Sequence, residues 1–142
     1  METNNKYYTP SIEEFHPGFE FKKSSDLPIN HWEDSICSTY HDLLLMQRNI
    51  NNGYIRVKYL DKEDIESFEF ELSAEYGDYI EFNDNLKSVN PKSNKILFNT
   101  KTKEINIESF ILSDQSSYPL FNGMCLNKSE LKVLLKQLQI CQ

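Results

Sequence analysis

Glu13, Glu14 and His16 form the densest group of side chains in this sequence that could exchange protons. Neighbouring carboxylates and an imidazole are the usual groups in general acid–base chemistry. The same residues also suit a short helix, because acids near its start and a histidine near its end interact favourably with the helix dipole. The helix interpretation is favoured, since acid–base chemistry also needs a pocket.

Arg56 and Lys58 share one face with Tyr54 if the segment "YIRVKY" is a strand. Two cations beside an aromatic ring indicate an anion-binding site. The alternative is that both cations pair across strands with Glu69 and Glu71, which would neutralise them. This alternative is favoured, because exposed ion pairs are common in proteins.

Cys37 and His41 are a third candidate, because they lie four residues apart and would share a face if their segment is helical. No orienting third group or oxyanion hole accompanies them. The three cysteines and three histidines lack the spacing of a metal site. Glycine-rich phosphate-binding motifs and nucleophile-elbow motifs are absent from the sequence. The sequence therefore predicts neither catalytic residues nor a metal or cofactor.

The composition predicts a protein of one domain over residues 1–142, with a net charge of −7. This charge disfavours extended contact with nucleic acid. The odd number of cysteines favours a reducing compartment. Without an apolar stretch of membrane-spanning length or a signal-like N-terminus, the predicted location is the cytoplasm.

Three helix starts are predicted from capping residues. Thr9 followed by Pro10 predicts a short N-terminal helix that ends at Pro17-Gly18. Asp61 and Asn127 predict the caps of two further helices. The last helix is amphipathic, because its leucines recur at helical spacing, at Leu131, Leu134, Leu135 and Leu138.

Alternating apolar and polar residues predict short strands in the middle of the chain, including the segments "YIRVKY", "FEFEL", "DYIEFN", "KILFN" and "KEINI". Short connections between them imply antiparallel pairing. The predicted fold is α+β: an antiparallel sheet of about five to six strands, with the C-terminal helix packed on it and a short N-terminal helix. Pro119 favours an edge strand. Residues 22–53 give the weakest pattern.

The N-terminal stretch Tyr7–Phe21, "YYTPSIEEFHPGFEF", is rich in aromatic rings. We expect Phe15, Phe19 and Phe21 to be buried as a plug at one end of the sheet. The alternative is recognition, in which the polar tips of Tyr8, Glu14 and His16 contact a partner. Tyr54, Arg56 and Lys58 would then supply the nearby ring and cations.

If the C-terminal helix is continuous, its helical spacing also places Val133 and Ile140 on the face opposite the leucine stripe. We expect either a solvent-exposed valine with a frayed end or a small self-association contact that makes a homo-oligomer.

Three segments, "YYTPSIEEFHPGFEF", "RVKYLDKEDIESFEFE" and "LFNGMCLNKSELKVLLKQLQI", together resemble a family of short uncharacterised proteins. These proteins are encoded by phages and prophages of Bacteroidota-type bacteria. The resemblance transfers no functional residues. It implies a small phage accessory protein acting in the cytoplasm of a host bacterium.

In that setting, the expected function is non-enzymatic binding that blocks or sequesters a host factor, with antiviral defence as one target. The partner is either a host protein or a small nucleotide signal. Extended nucleic acid and membranes are not expected as partners. The alternative function is a structural, assembly or cargo role in the virion. A small hydrolase or nuclease is disfavoured by the absent motifs.

Overall fold

The computed structural model describes residues 6–24, 31–38, 43–84, 92–111, 116–138 and 140. The chain divides into two compact units, residues 1–59 and 60–142, and each unit has its own hydrophobic core. The α+β class is confirmed, because helices accompany antiparallel strands in both units. The single domain over residues 1–142 stays a prediction. Within the described ranges, no helix combines the length and the apolar character needed to cross a bilayer.

The first unit contains four strands: β1 (Tyr7–Tyr8), β2 (Glu20–Lys23), β3 (Glu33–Ile36) and β4 (Ile55–Lys58). They form an antiparallel sheet in the order β1-β4-β2-β3. The unit also contains a 3-10 helix, Ile12–Glu14, and helix α1, Leu43–Asn51. Because β4 lies between β1 and β2, residues from both neighbours flank its side chains.

Strand β4 separates the core of this unit from its polar face. Ile55 and Val57 are buried, whereas Arg56 and Lys58 point to the opposite face and are half-buried. The buried side joins one apolar cluster, made of Phe19, Phe21, Cys37, Met46, Ile50, Ile55 and Val57. Helix α1 contributes two of these side chains, so the helix covers the face opposite Arg56.

The aromatic N-terminal stretch packs into this core, as predicted for Phe19 and Phe21, whereas Phe15 is half-buried. Phe19 and Phe21 are buried, and the Phe15 ring packs edge-on against them at centroid distances of 4.9 and 5.2 Å. Tyr8 and His16 remain partly exposed. The rings therefore anchor the start of the chain, where residues are otherwise prone to fray.

The predicted Thr9-capped helix is wrong in its start and its type. Ser11 is the cap of the 3-10 helix, and its hydroxyl accepts from the Glu13 N–H at 3.3 Å. The Glu14 carboxylate accepts from the Ser11 N–H at 2.7 Å. This capping box satisfies the free N–H groups two residues later than a cap at Thr9 would.

The second unit contains five strands: β5 (Phe70–Tyr76), β6 (Tyr79–Asp84), β7 (Lys92–Asn99), β8 (Glu104–Ile111) and β9 (Ser116–Met124). They form one antiparallel sheet in sequence order. Helix α2, Lys62–Glu66, precedes the sheet and helix α3, Lys128–Gln137, follows it. The predicted edge strand is confirmed, because Pro119 lies on β9 at the end of the sheet.

The single predicted sheet is wrong, because the strands form two sheets of four and five strands. β4 was expected beside "FEFEL", but its partners are β1 and β2, which come from the N-terminal stretch. Two of the elements that complete the first unit, β3 and α1, lie in the segment 22–53 whose pattern was weakest.

The two remaining helix caps are confirmed. The Asp61 carboxylate accepts from the Asp64 N–H at 2.9 Å, and the Asn127 side chain accepts from the Glu130 N–H at 2.8 Å. In α3, Leu131 and Leu135 are completely buried in the core of the second unit, and Leu134 and Leu138 pack against it. The predicted amphipathic C-terminal helix therefore packs on the sheet.

Ile140 does not lie on a free face with Val133. It packs against the core, and its N–H donates to the Leu135 carbonyl at 2.9 Å. This bond spans six residues and, with the core contact, places the Ile140 side chain beside the end of α3. Projection of the sequence as a continuous helix misplaced this residue, and the self-association hypothesis retains only Val133, which is 40% exposed.

Replacing Leu135 with Ala should lower the free energy of unfolding by about 2–5 kcal/mol, because the change leaves a cavity in the second core. Urea denaturation measures the loss. Val133→Ala on the same helix is the matched control and should change stability by less than about 0.5 kcal/mol. Equal losses in the two variants would contradict the packing of α3.

Candidate ligand-binding cleft

Arg56 lies in the middle of the polar face of the first sheet. It is opposite Lys22 on β2, and Lys58 is opposite Tyr7 on β1. The ladder partners of β4 are β1 and β2, so β4 does not pair with β5, which carries Glu71. Neutralisation of these cations by Glu69 and Glu71, which was the favoured interpretation, stays a prediction. The local consequence is a row of two neighbouring cations, Lys22 and Arg56.

Two aromatic rings hold the Arg56 guanidinium. Its Cζ lies 3.8 Å from the centroid of the Tyr7 ring and 4.2 Å from that of Trp32. Tyr7 pairs with Lys58, beyond Arg56 along β4. Trp32 comes just before β3, whose first pair is Glu33 with Lys23. The two rings therefore approach Arg56 from opposite directions along the strand, and each contact contributes about 0.5–2 kcal/mol.

The charge of Arg56 has no compensation from the described residues. Lys22, its ladder neighbour, is bound to the Asp34 carboxylate at 2.7 Å. For Arg56, no carboxylate among the described residues lies within ion-pair distance. Its Nε is buried, and no acceptor in the described ranges receives the N–H. A buried donor without an acceptor costs about 1–3 kcal/mol.

An open cleft of about 440 Å³ lies beside this guanidinium. It is contained within the first unit, and its lining consists of Tyr7, Tyr8, Thr9, Trp32, Gly53, Ile55, Arg56 and Tyr59. All four of its aromatic residues are half-buried. The cleft therefore combines one cation with aromatic walls.

Tyr8 and Glu14 build one wall of this cleft. The Tyr8 hydroxyl donates to Oε1 of Glu14 at 2.7 Å, while Oε2 of Glu14 accepts from the Ser11 N–H. The Tyr8 ring also stacks on Tyr59 at a centroid distance of 4.7 Å. Glu14 thus connects the capped 3-10 helix to the aromatic wall and holds Tyr8 in place.

The structure gathers only part of the predicted binding set. Tyr8 and Arg56 line the cleft, and Glu14 reaches it through Tyr8. His16, Tyr54 and Lys58 are not among its lining residues. His16 lies at the chain turn, with Nδ1 3.1 Å from the Pro17 carbonyl oxygen and its ring packed edge-on against Phe19.

Sequence reasoning missed Tyr7, Trp32 and Tyr59 as cleft residues. Tyr7 could have been proposed from the sequence, because it belongs to the aromatic N-terminal stretch. The missing information was that this stretch pairs with β4. Trp32 lies in the segment whose pattern was weakest, and no local spacing links it to Arg56.

The other candidate chemistry receives little support from the geometry. Cys37 follows β3 and precedes α1, so it is not on a helix. Burial raises the pKa of the Cys37 thiol and raises the pKa of Cys125 to about 12, so both thiols stay protonated at neutral pH. His41 and Cys141 lie outside the described residues. Within the described ranges, no cluster of three or more metal-ligating side chains is present.

Removal of the Tyr8 hydroxyl by Tyr8→Phe should lower the free energy of unfolding by about 1–2 kcal/mol, because the hydroxyl donates to a charged acceptor in a partly buried site. Tyr54→Phe, at the residue just before β4, is the control and should cost less than about 0.5 kcal/mol. In a Glu14→Ala background, Tyr8→Phe should cost almost nothing. An undiminished cost in that background would show that the pair does not support the wall.

Comparisons with protein-family models, with curated proteins and with solved structures find no match to this chain. The geometry of the cleft and the chemistry of its side chains therefore carry the functional argument.

Proposed function

We propose that this protein is a non-enzymatic binding protein that sequesters a small anionic molecule in the Arg56 cleft. The single observation that carries the proposal is the guanidinium of Arg56, which contacts Tyr7 and Trp32 at the edge of an open cleft and has no carboxylate partner among the described residues. A bound anion would satisfy this charge and accept hydrogen bonds from its planar fork.

A small ligand suits this site better than a protein partner does. Pockets for small molecules typically have volumes of about 300–1,000 Å³, with a few polar groups among aromatic side chains, and the cleft of about 440 Å³ falls in this range. A protein partner would instead favour a broad contact surface with an apolar centre. Of the two kinds of host factor expected from the sequence, the cleft favours the small signal.

Binding without catalysis fits the lining of the cleft. In the described part of the chain, its side chains include no carboxylate, thiol or imidazole. Arg56 stays protonated at any physiological pH and therefore serves as an anchor rather than a proton carrier. The hydroxyls of Thr9 and the three tyrosines are further polar side-chain groups of the lining, and they suit hydrogen bonding to a retained ligand.

The biological setting of the proposal comes from the resemblance to phage and prophage proteins. A protein that sequesters a host signalling molecule would act as a phage accessory factor in the host cytoplasm, including against antiviral defence. Sequestration requires affinity and abundance, and it does not require turnover.

Native mass spectrometry tests this function directly. The purified protein is incubated with the small-molecule filtrate of a bacterial lysate, separated from free compounds and sprayed under native conditions. We expect an added mass on the wild-type protein that is lost in Arg56→Gln and kept in Arg48→Gln, since Arg48 is exposed on α1.

The two substitutions are matched, because each removes one positive charge. The melting temperatures of both variants show whether each variant is still folded. An absent adduct on the wild-type protein, or an adduct of equal intensity on Arg56→Gln, would contradict the proposed function.

A further inference from the structure

We infer that the ligand of the Arg56 cleft is a nucleoside monophosphate, with its phosphate at the guanidinium and its base against the aromatic wall. This inference rests on the proposed function and specifies the class of molecule bound. Two separate properties of the cleft carry it: the contacts of Arg56, and the four aromatic residues in its lining.

The contacts of the Arg56 guanidinium favour an oxyanion as the ligand. The Arg56 Cζ lies 3.8 and 4.2 Å from the centroids of the Tyr7 and Trp32 rings. Because Nε is buried, the Nη groups are the N–H donors that we assign to a ligand. These N–H groups match the spacing of phosphate or carboxylate oxygens and bind them in pairs. The cleft therefore anchors an anionic group through the plane of Arg56 and not through its faces.

Thr9 adds a hydroxyl beside this anchor. The β1–β4 register pairs Tyr7 with Lys58 and Tyr8 with Val57, so continuation by one residue brings Thr9 opposite Arg56. Thr9 is exposed and lines the cleft. A phosphate has more acceptor oxygens than a carboxylate, so it can use this second donor together with the guanidinium.

The aromatic lining favours a flat group. Tyr7, Tyr8, Trp32 and Tyr59 all line the cleft, and each residue is half-buried. Stacking of a base on an aromatic side chain is worth about 1–3 kcal/mol and accepts every base. At about 440 Å³ the cleft has room beyond what an inorganic anion fills, and a base attached to the phosphate would occupy it.

The charge of the whole chain limits the size of this ligand. The net charge of −7 opposes an extended polyanion, and the neighbouring cation Lys22 is already bound to Asp34. One uncompensated guanidinium suits one phosphate group. A monophosphate therefore fits the cleft better than a nucleic acid strand does.

Trp32 reports binding in the native protein, because it is the single tryptophan of the chain and lies in the cleft. The protein is titrated with the 5′-monophosphates of adenosine, guanosine, cytidine and uridine while the Trp32 fluorescence is recorded. Excitation at the red edge of the tryptophan absorption band avoids absorption of the exciting light by the bases. The corresponding nucleosides, ribose 5-phosphate and inorganic phosphate test the parts separately.

We expect at least one nucleoside monophosphate to bind about tenfold or more tightly than both its nucleoside and ribose 5-phosphate, because only the complete molecule uses the anchor and the wall together. Arg56→Gln should weaken binding of that monophosphate about tenfold and leave binding of the nucleoside unchanged. Arg56→Lys keeps the charge without the planar fork and should also lose most of the affinity. Arg48→Gln should bind as the wild-type protein does.

Equal affinities for the monophosphate and for either of its parts would overturn the inference, and so would wild-type affinity in a folded Arg56→Lys variant. The two proposals fail differently. An Arg56-dependent adduct in the mass spectrum that is not a nucleotide would leave the binding function standing and reject the nucleotide class. The absence of any Arg56-dependent adduct, together with no response of Trp32, would reject both.

Discussion

The contact of the Arg56 guanidinium with the rings of Tyr7 and Trp32 is the interaction on which the candidate site depends. It fixes a positive charge on the polar face of the first sheet without using a carboxylate from the described residues. A salt bridge would hold the side chain equally well, but it would neutralise the charge that a ligand needs. Aromatic rings hold the cation without supplying an acceptor for its N–H groups.

The rest of the first unit supplies the geometry for this contact. Strand β4 buries Ile55 and Val57 under α1, which fixes the opposite orientation of Arg56. The plug of Phe15, Phe19 and Phe21 anchors the N-terminal stretch, and that stretch delivers Tyr7 to the edge of the sheet. The capping box at Ser11 directs Glu14 toward Tyr8, so a local helix signal shapes the aromatic wall.

The sequence predicted those elements whose causes are local. The caps at Asp61 and Asn127, the leucine stripe of α3 and the edge position of Pro119 each depend on residues a few positions apart. Arg56 was identified as an anion-binding candidate from its neighbours on β4 alone. The second sheet was missed because β4 pairs with strands far from it in the sequence, and no periodicity records which strands pair.

Failures at the site have the same origin. The contact of Trp32 with Arg56 depends on the pairing of β2 with β3 and with β4. The contact of Tyr7 with Arg56 depends on the pairing of β1 with β4. The expected carboxylate partners of Arg56 were chosen as the nearest candidates among the predicted strands, whereas the fold surrounds it with rings. Ile140 was misplaced because α3 ends at Gln137, so a helical projection no longer applies to Ile140.

The most direct measurement of the central claim is a ¹H–¹⁵N NMR spectrum of the arginine Nε–H groups. The chain has two arginines, Arg48 and Arg56, and Arg48→Lys assigns the signals. Because Nε of Arg56 is buried beside two aromatic rings, its proton should be displaced by ring currents and exchange with water much more slowly than that of exposed Arg48. Coincident shifts and equally fast exchange for the two arginines would contradict the account.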